Sequence, residues 1–182
     1  MTITVSTQQI IIRTASQMDL PGLEWGGEFQ HFRLLYQDVY QSTLRNEAVM
    51  WIAEHPLKQV IGQLFVQLIS TRSELADGSS RAYIYGFRVQ PEYHRQGIGT
   101  NMLKVAENDL AQRGYRCVSL NVGQDNHEAR RLYERCGYVI VAAEPGRWSF
   151  LDDNGLKRDV NEPAWRMEKK LDRPVIVRLP LD

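Results

Sequence analysis

Long apolar runs, cysteines and net charge are all scarce in this 182-residue sequence, and each scarcity removes a class of function. No uninterrupted apolar stretch approaches the roughly 20 residues that a bilayer-spanning helix needs, so no membrane partner is expected. The two cysteines, Cys117 and Cys136, stand far apart and in no C-x-x-C spacing. That argues against a disulfide framework and for a reducing cytosol. His31, His55, His94 and His127 show neither H-x-x-x-H spacing nor a cysteine partner, so no catalytic metal is expected. Lys plus Arg and Asp plus Glu number 22 each, which leaves no global field to draw in nucleic acid or an anionic membrane. No basic stripe with interleaved aromatics appears either. The opening MTITVSTQQ has neither the basic region nor the apolar run of a signal peptide. The expectation is a soluble cytoplasmic protein whose anionic ligands, if any, are held by local geometry.

What remains fits one ordinary domain with a buried core. Residues 1–8 read as a flexible start, 9–171 as the domain and 172–182 as a tail. The tail carries Val175-Ile176-Val177, which could dock on the body or on another subunit, so a homodimer is left open. The β-branched run Ile10-Ile11-Ile12 predicts a first strand. An irregular helical stretch over 16–25, broken at Pro21-Gly22, precedes a helix over 28–41. Strands follow over 49–53 and 59–69, then a loop over 72–80. Alternation over 82–90 places Tyr83, Tyr85, Phe87 and Val89 on one strand face. A helix over 97–112, a strand over 116–122 and a helix over 126–136 come next. Strands over 138–143 and 165–171 enclose a hairpin, 148–151 and 157–160, around Asp153-Asn154-Gly155. This mixed order argues an α/β or α+β sheet domain.

The chemistry concentrates between Val89 and Thr100, which read V-Q-P-E-Y-H-R-Q-G-I-G-T. A strand ends at Pro91 and two glycines open an amphipathic helix. The first turn of a helix leaves backbone N–H groups unpaired and carries the positive end of the dipole, a ready site for phosphate. Glycine at 97 and 99 keeps Cβ atoms from holding phosphates off those amides. A P-loop would need Gly-Lys-Ser/Thr, which Gly99-Thr100-Asn101 is not; a Rossmann fingerprint would need Gly or Ala where Met102 stands.

These residues resemble the coenzyme-A motif of the GNAT N-acetyltransferase superfamily, Q/R-x-x-G-x-G/A after V-x-P-x-Y/F. Val89, Pro91, Tyr93, Gly97 and Gly99 satisfy it, while His94 replaces the usual Gln or Arg. A second stretch resembles the later motif L-x-V-x3-N-x2-A-x2-L/F-Y-x3-G-F/Y through Leu120, Val122, Asn126, Ala129, Leu132, Tyr133, Gly137 and Tyr138. Two motifs in order, separated by a helix and a strand, are far more specific than either alone. The resemblance implies a mixed, mostly antiparallel sheet of about seven strands, flanked by about four helices and splayed between strands four and five.

It also implies acetyl-CoA as co-substrate. The backbone of Phe87, Arg88 and Val89 would line the pantetheine arm. His94 and the amides of Arg95, Gln96, Gly97, Ile98, Gly99 and Thr100 would surround the pyrophosphate. Asn126 caps its helix beside them, and Arg130 or Arg131 could reach a CoA phosphate. Tyr133 would be the general acid at the departing sulfur. Glu28 is the first candidate for general base, with Glu24, His31 and a water chain as alternatives. Trp25, Trp148 and Phe150 would border the acceptor, favouring an apolar or planar amine. A small primary amine attacked directly in a ternary complex is the leading reading. A protein N-terminus or lysine is the alternative acceptor, and a non-catalytic acyl-CoA sensor the alternative class.

Overall fold

The computed structural model describes residues 10–57 and 59–172. The expected flexible start over 1–8 and the tail beyond Asp172 lie outside the described residues. In chain order the strands are β1 (Ile11–Thr14), β2 (Ala48–Glu54), β3 (Val60–Gln67), β4 (Arg81–Val89), β5 (Cys117–Gly123), β6 (Val139–Glu144), β7 (Arg147–Leu151), β8 (Lys157–Asn161) and β9 (Ala164–Lys170). Three α-helices interleave with them: α1 (Arg33–Leu44), α2 (Ile98–Gln112) and α3 (His127–Arg135). Seven strands form one sheet in the order β1-β2-β3-β4-β5-β9-β6, and β7 with β8 makes a separate hairpin. Only β4 and β5 pair in parallel; every other described pair is antiparallel. Among the described residues no helix is long and apolar enough to cross a membrane.

Both faces of the sheet are covered, which explains why β2 and β3 are buried at nearly every position. One face carries α2, whose Ile98, Met102, Ala106 and Leu110 are all buried, together with Tyr133 of α3. Each of Ile98, Met102 and Leu110 contributes about 1.5–3 kcal/mol when removed from water. The other face is closed by α1, where Tyr36 and Val39 pack against Met50, Ile52 and Phe65. Gly114 (φ +96°) and Gly137 (φ +93°) follow the ends of α2 and α3, at the left-handed stop positions expected from the sequence.

Three expectations need correction. The helix expected from Glu28 begins as α1 only at Arg33, because 3-10 turns occupy Gln17–Gly27 and Gln30–Phe32. The expected break at Pro21-Gly22 also falls later, at Trp25 and Gly26, where φ turns positive. Pro21 lies inside this segment, which Ser16 and Asp19 open with a capping box. In β4 the alternation fails after Tyr85. Tyr85 packs with the α1-side cluster, whereas Phe87 and Val89 pack with the α2-side cluster beside Ala82 and Ile84. A bulge at Gly86 supplies the extra residue that inverts the faces.

Candidate active site

The bulge lies where the sheet opens. β4 and β5 pair from Arg81↔Cys117 to Ile84↔Leu120, then diverge while each continues to Val89 and Gly123. Gly86 has φ +56°, and a Cβ there would stand 2.7 Å from Cδ2 of Phe65, so only glycine fits without displacement. Fully buried Gln63 of β3 donates Nε2 to the Gly86 carbonyl at 3.0 Å. The divergence therefore exposes the main chain of β4 in a wedge whose shape is fixed from behind.

On the α2 side of the wedge lies a cavity of about 600 Å³, lined by Phe87, Val89, Arg95, Gly97, Gly99 and Thr100 among others. The amides of Arg95 to Thr100 donate to no backbone carbonyl among the described residues. Arg95 (φ +60°) and Gly97 (φ +78°) are left-handed, a backbone that turns successive N–H groups toward a common point. A Cβ on Gly97 would meet nothing within 4 Å, and one on Gly99 would fill space toward Phe87 and Leu132. Arg95 makes no ion pair among the described residues, leaving its charge available to the cavity. His94 also lines the cavity, but its Nε2 lies 2.7 Å from the Val89 carbonyl and closes the strand-to-turn corner. The Gln96 amide side chain likewise bonds the Glu92 carbonyl at 3.0 Å. Arg130 pairs with Glu134 at 2.8 Å and is absent from the lining, where Arg135 appears instead.

A second cavity of about 620 Å³ opens between β4, β5, α1 and the hairpin. Phe87, Arg88, Asn126, Ala129 and Tyr133 line both cavities, so the two meet across the wedge. Asn126 caps α3 by accepting from the Ala129 amide at 3.0 Å, and borders the junction as well. Tyr133 is buried, and its hydroxyl has no hydrogen-bond partner among the described residues. Desolvation raises its pKa, so the hydroxyl keeps its proton and can donate it.

Acidic groups are poorly placed for a direct base. Glu28 is exposed and lines neither cavity. Glu24 is held by Arg33 through contacts of 2.6 and 2.8 Å, which lower its pKa. His31 is exposed and packs at a tilt against Phe32, ring centroids 4.2 Å apart. Of the two carboxylates lining the second cavity, Glu144 is bound by Arg72 at 2.9 and 3.0 Å and by Arg166 at 3.2 Å. The other, Glu162, is exposed.

Residues 15–138 match the acetyltransferase (GNAT) family. The chain belongs to this family. Among curated relatives it is 34% identical over 100 residues to the chloroplastic GCN5-related N-acetyltransferase 6 of Arabidopsis thaliana, covering 54% of this chain and 32% of that protein. It is 35% identical over 94 residues to the N-acetyltransferase YhfO of Bacillus subtilis, covering 51% of this chain and 60% of the relative. The matches thus span less than two thirds of those relatives' lengths. Among solved structures, Arabidopsis NAA60 in complex with a bisubstrate analogue superposes with TM-score 0.69 at 20% identity, covering 90% of this chain and 99% of that one. The spermidine/spermine N-acetyltransferase SpeG of Vibrio cholerae gives TM-score 0.65 at 18% identity, over 89% and 92% of the respective chains. Both show a shared GNAT fold.

In this GNAT chain the hairpin roofs the second cavity with aromatic contacts. Phe32 lies 4.7 Å from Phe150 and 6.3 Å from Trp148 by ring centroid, and Trp25 packs edge-on to Phe29 at 5.1 Å. Gln30 bonds Asp153 at 2.9 Å across the hairpin turn. Gly146 anchors its base, since a Cβ there would lie 1.6 Å from the Glu162 carbonyl oxygen. Of the three aromatics expected at the acceptor site, Trp148 lines the second cavity, whereas Phe150 packs on Phe32 and Trp25 on Phe29 without lining either cavity. Sequence reasoning missed Gly86, Gln63, Arg135 and the side-chain position of Arg88. The isolated glycine inside a strand pattern was the available signal for the first.

Proposed function

We propose that the protein transfers an acetyl group from acetyl-CoA to a primary amine of a small molecule, by direct attack in a ternary complex. The observation that carries this reading is the junction of two cavities at Tyr133 and Phe87, one of them lined by Arg95, Gly97, Ile98, Gly99 and Thr100, whose amides donate to no backbone carbonyl among the described residues. The residues present fit the coenzyme: amides 95–100 would hold its pyrophosphate, and Arg95 and Arg135 would add charge. Its thioester supplies an activated acyl group. The β4 main chain near Phe87 would donate to the acyl oxygen as negative charge develops there. Tyr133 would hand its proton to the departing sulfur.

The amine nitrogen bonds the acetyl carbon as the carbon–sulfur bond breaks. The products are an amide and free CoA thiol, with one proton released from the original ammonium. An alkylamine has a pKa of about 10, so that proton must leave before attack. We assign its removal to water in the second cavity, because the interior carboxylate is neutralised by arginine; Glu28, outside the lining, could act only through such water. The hairpin roof favours a compact acceptor over a polypeptide. Release of CoA thiol from acetyl-CoA, measured across amines and peptides, tests the reading. Amine-dependent release supports it; tight CoA binding without turnover on any amine would point to a sensor.

A further inference from the structure

The second cavity contains an unbalanced interior charge. Its lining cations are Arg72, Arg88 and Arg147, and its lining anions are Glu144 and Glu162. Arg72 and Glu144 satisfy one another, while Arg147 and Glu162 are exposed. Arg88 remains. Its guanidinium lies 3.9 Å from the centroid of the Phe29 ring and 5.2 Å from that of Phe32. Nη2 donates to the Tyr36 hydroxyl at 3.1 Å, and no carboxylate lies within ion-pair distance among the described residues. Burial pushes its pKa down, opposed by Tyr36 and, more weakly, by the outlying Glu28. A desolvated cation with unused donors gains strongly from an anion delivered to it. The rest of the lining is largely apolar and aromatic, including Phe32, Phe65, Tyr83, Tyr85 and Trp148, with the side-chain amides of Asn121 and Asn126 beside them.

We infer that the acceptor is a small amine bearing a carboxylate and an apolar or aromatic remainder, its carboxylate paired with Arg88 at the junction of the cavities. This rests on the acetyltransferase reading. Arg88 and Phe87 both line the junction of the two cavities, which suits an acceptor whose amine and carboxylate are close together, as in an α-amino acid. A polyamine would bring a second cation toward Arg88 instead.

The test begins with calorimetric titration of acetyl-CoA, which needs no acceptor. CoA thiol release is then measured with the standard amino acids, their carboxamides, spermidine and a peptide with an N-terminal aspartate. The expected result is a preference for an apolar or aromatic amino acid over its carboxamide of about 10- to 100-fold in kcat/KM, the range of a charge-assisted bond. Arg88→Met should collapse that ratio toward one, and Arg88→Lys should retain part of it. Acetyl-CoA binding with equal or better use of carboxamides, spermidine or the peptide overturns the inference while sparing the acetyltransferase. So does turnover on none of the amino acids. Failure to bind acetyl-CoA overturns both.

Discussion

Gln63 holds the strand bulge at Gly86 through a single buried hydrogen bond, Nε2 to carbonyl oxygen at 3.0 Å. The bond runs between neighbouring strands at the point where β4 leaves β5, so it couples core packing to the width of the wedge. Gly86→Ala should lose about 1–3 kcal/mol, from overpacking against Phe65 and from the positive φ. For a chain of this size that lowers the melting temperature by about 2–4 °C per kcal/mol. Gln63→Leu should cost a similar amount by stranding the carbonyl. Acetyl-CoA affinity should fall in both; unchanged affinity with reduced stability would detach the bulge from the site.

Tyr133 is a buried residue lining both cavities, and its hydroxyl has no partner among the described residues, so removing the oxygen alone should leave the fold undisturbed. Tyr133→Phe is expected to reduce kcat by about 10²–10⁴-fold, the usual contribution of a positioned acid, with acetyl-CoA affinity nearly intact. Because desolvation raises its pKa, kcat should show no alkaline fall from tyrosine ionisation near pH 10. Equal losses in affinity and turnover would make it a packing residue.

The fold was legible wherever local chemistry fixed it. The Gly97–Gly99 opening of α2, the Asn126 cap of α3 and the strand runs of β2 and β3 follow from backbone demands that few residues satisfy. The face inversion in β4 was not legible, because it depends on Phe65, far away in sequence, filling the space that a Cβ on residue 86 would need. The importance of the Arg88 side chain was equally hidden. Its partners Phe29, Phe32 and Tyr36 come from another part of the chain, and a strand arginine is by default a solvated one.

The cradle can be tested by letting the protein occupy its own anion site. In Gly99→Glu the Cβ would enter cavity space 3.4 Å from Phe87 and 3.6 Å from Leu132, bringing a carboxylate beside the free amides. Acetyl-CoA affinity should fall by at least about 100-fold, roughly 2.7 kcal/mol, with little change in melting temperature. Isothermal titration measures it, and wild-type affinity would place the phosphates elsewhere.

Away from the site, acid stability should depend on Asp19. Both of its oxygens accept from Arg13 at 2.8 Å, and Ser16 adds amide and hydroxyl bonds of 2.7 and 2.8 Å. Arg13 also pairs with Glu54, so this cluster joins β1, β2 and the first 3-10 segment. Chiefly through the Arg13 bonds, Asp19 is held well below the ordinary carboxylate range. A folded-state pKa below the unfolded value of about 3.9 means the contribution is complete above that value and drains away as pH falls below it. Urea midpoints measured from pH 7 to pH 2 should therefore drop steeply below about pH 4 in the wild type. Asp19→Asn, with no proton to take up, should be less stable at pH 7 and show a shallower acid slope. Parallel curves for the two proteins would mean that Asp19 ionises alike in the folded and unfolded chain.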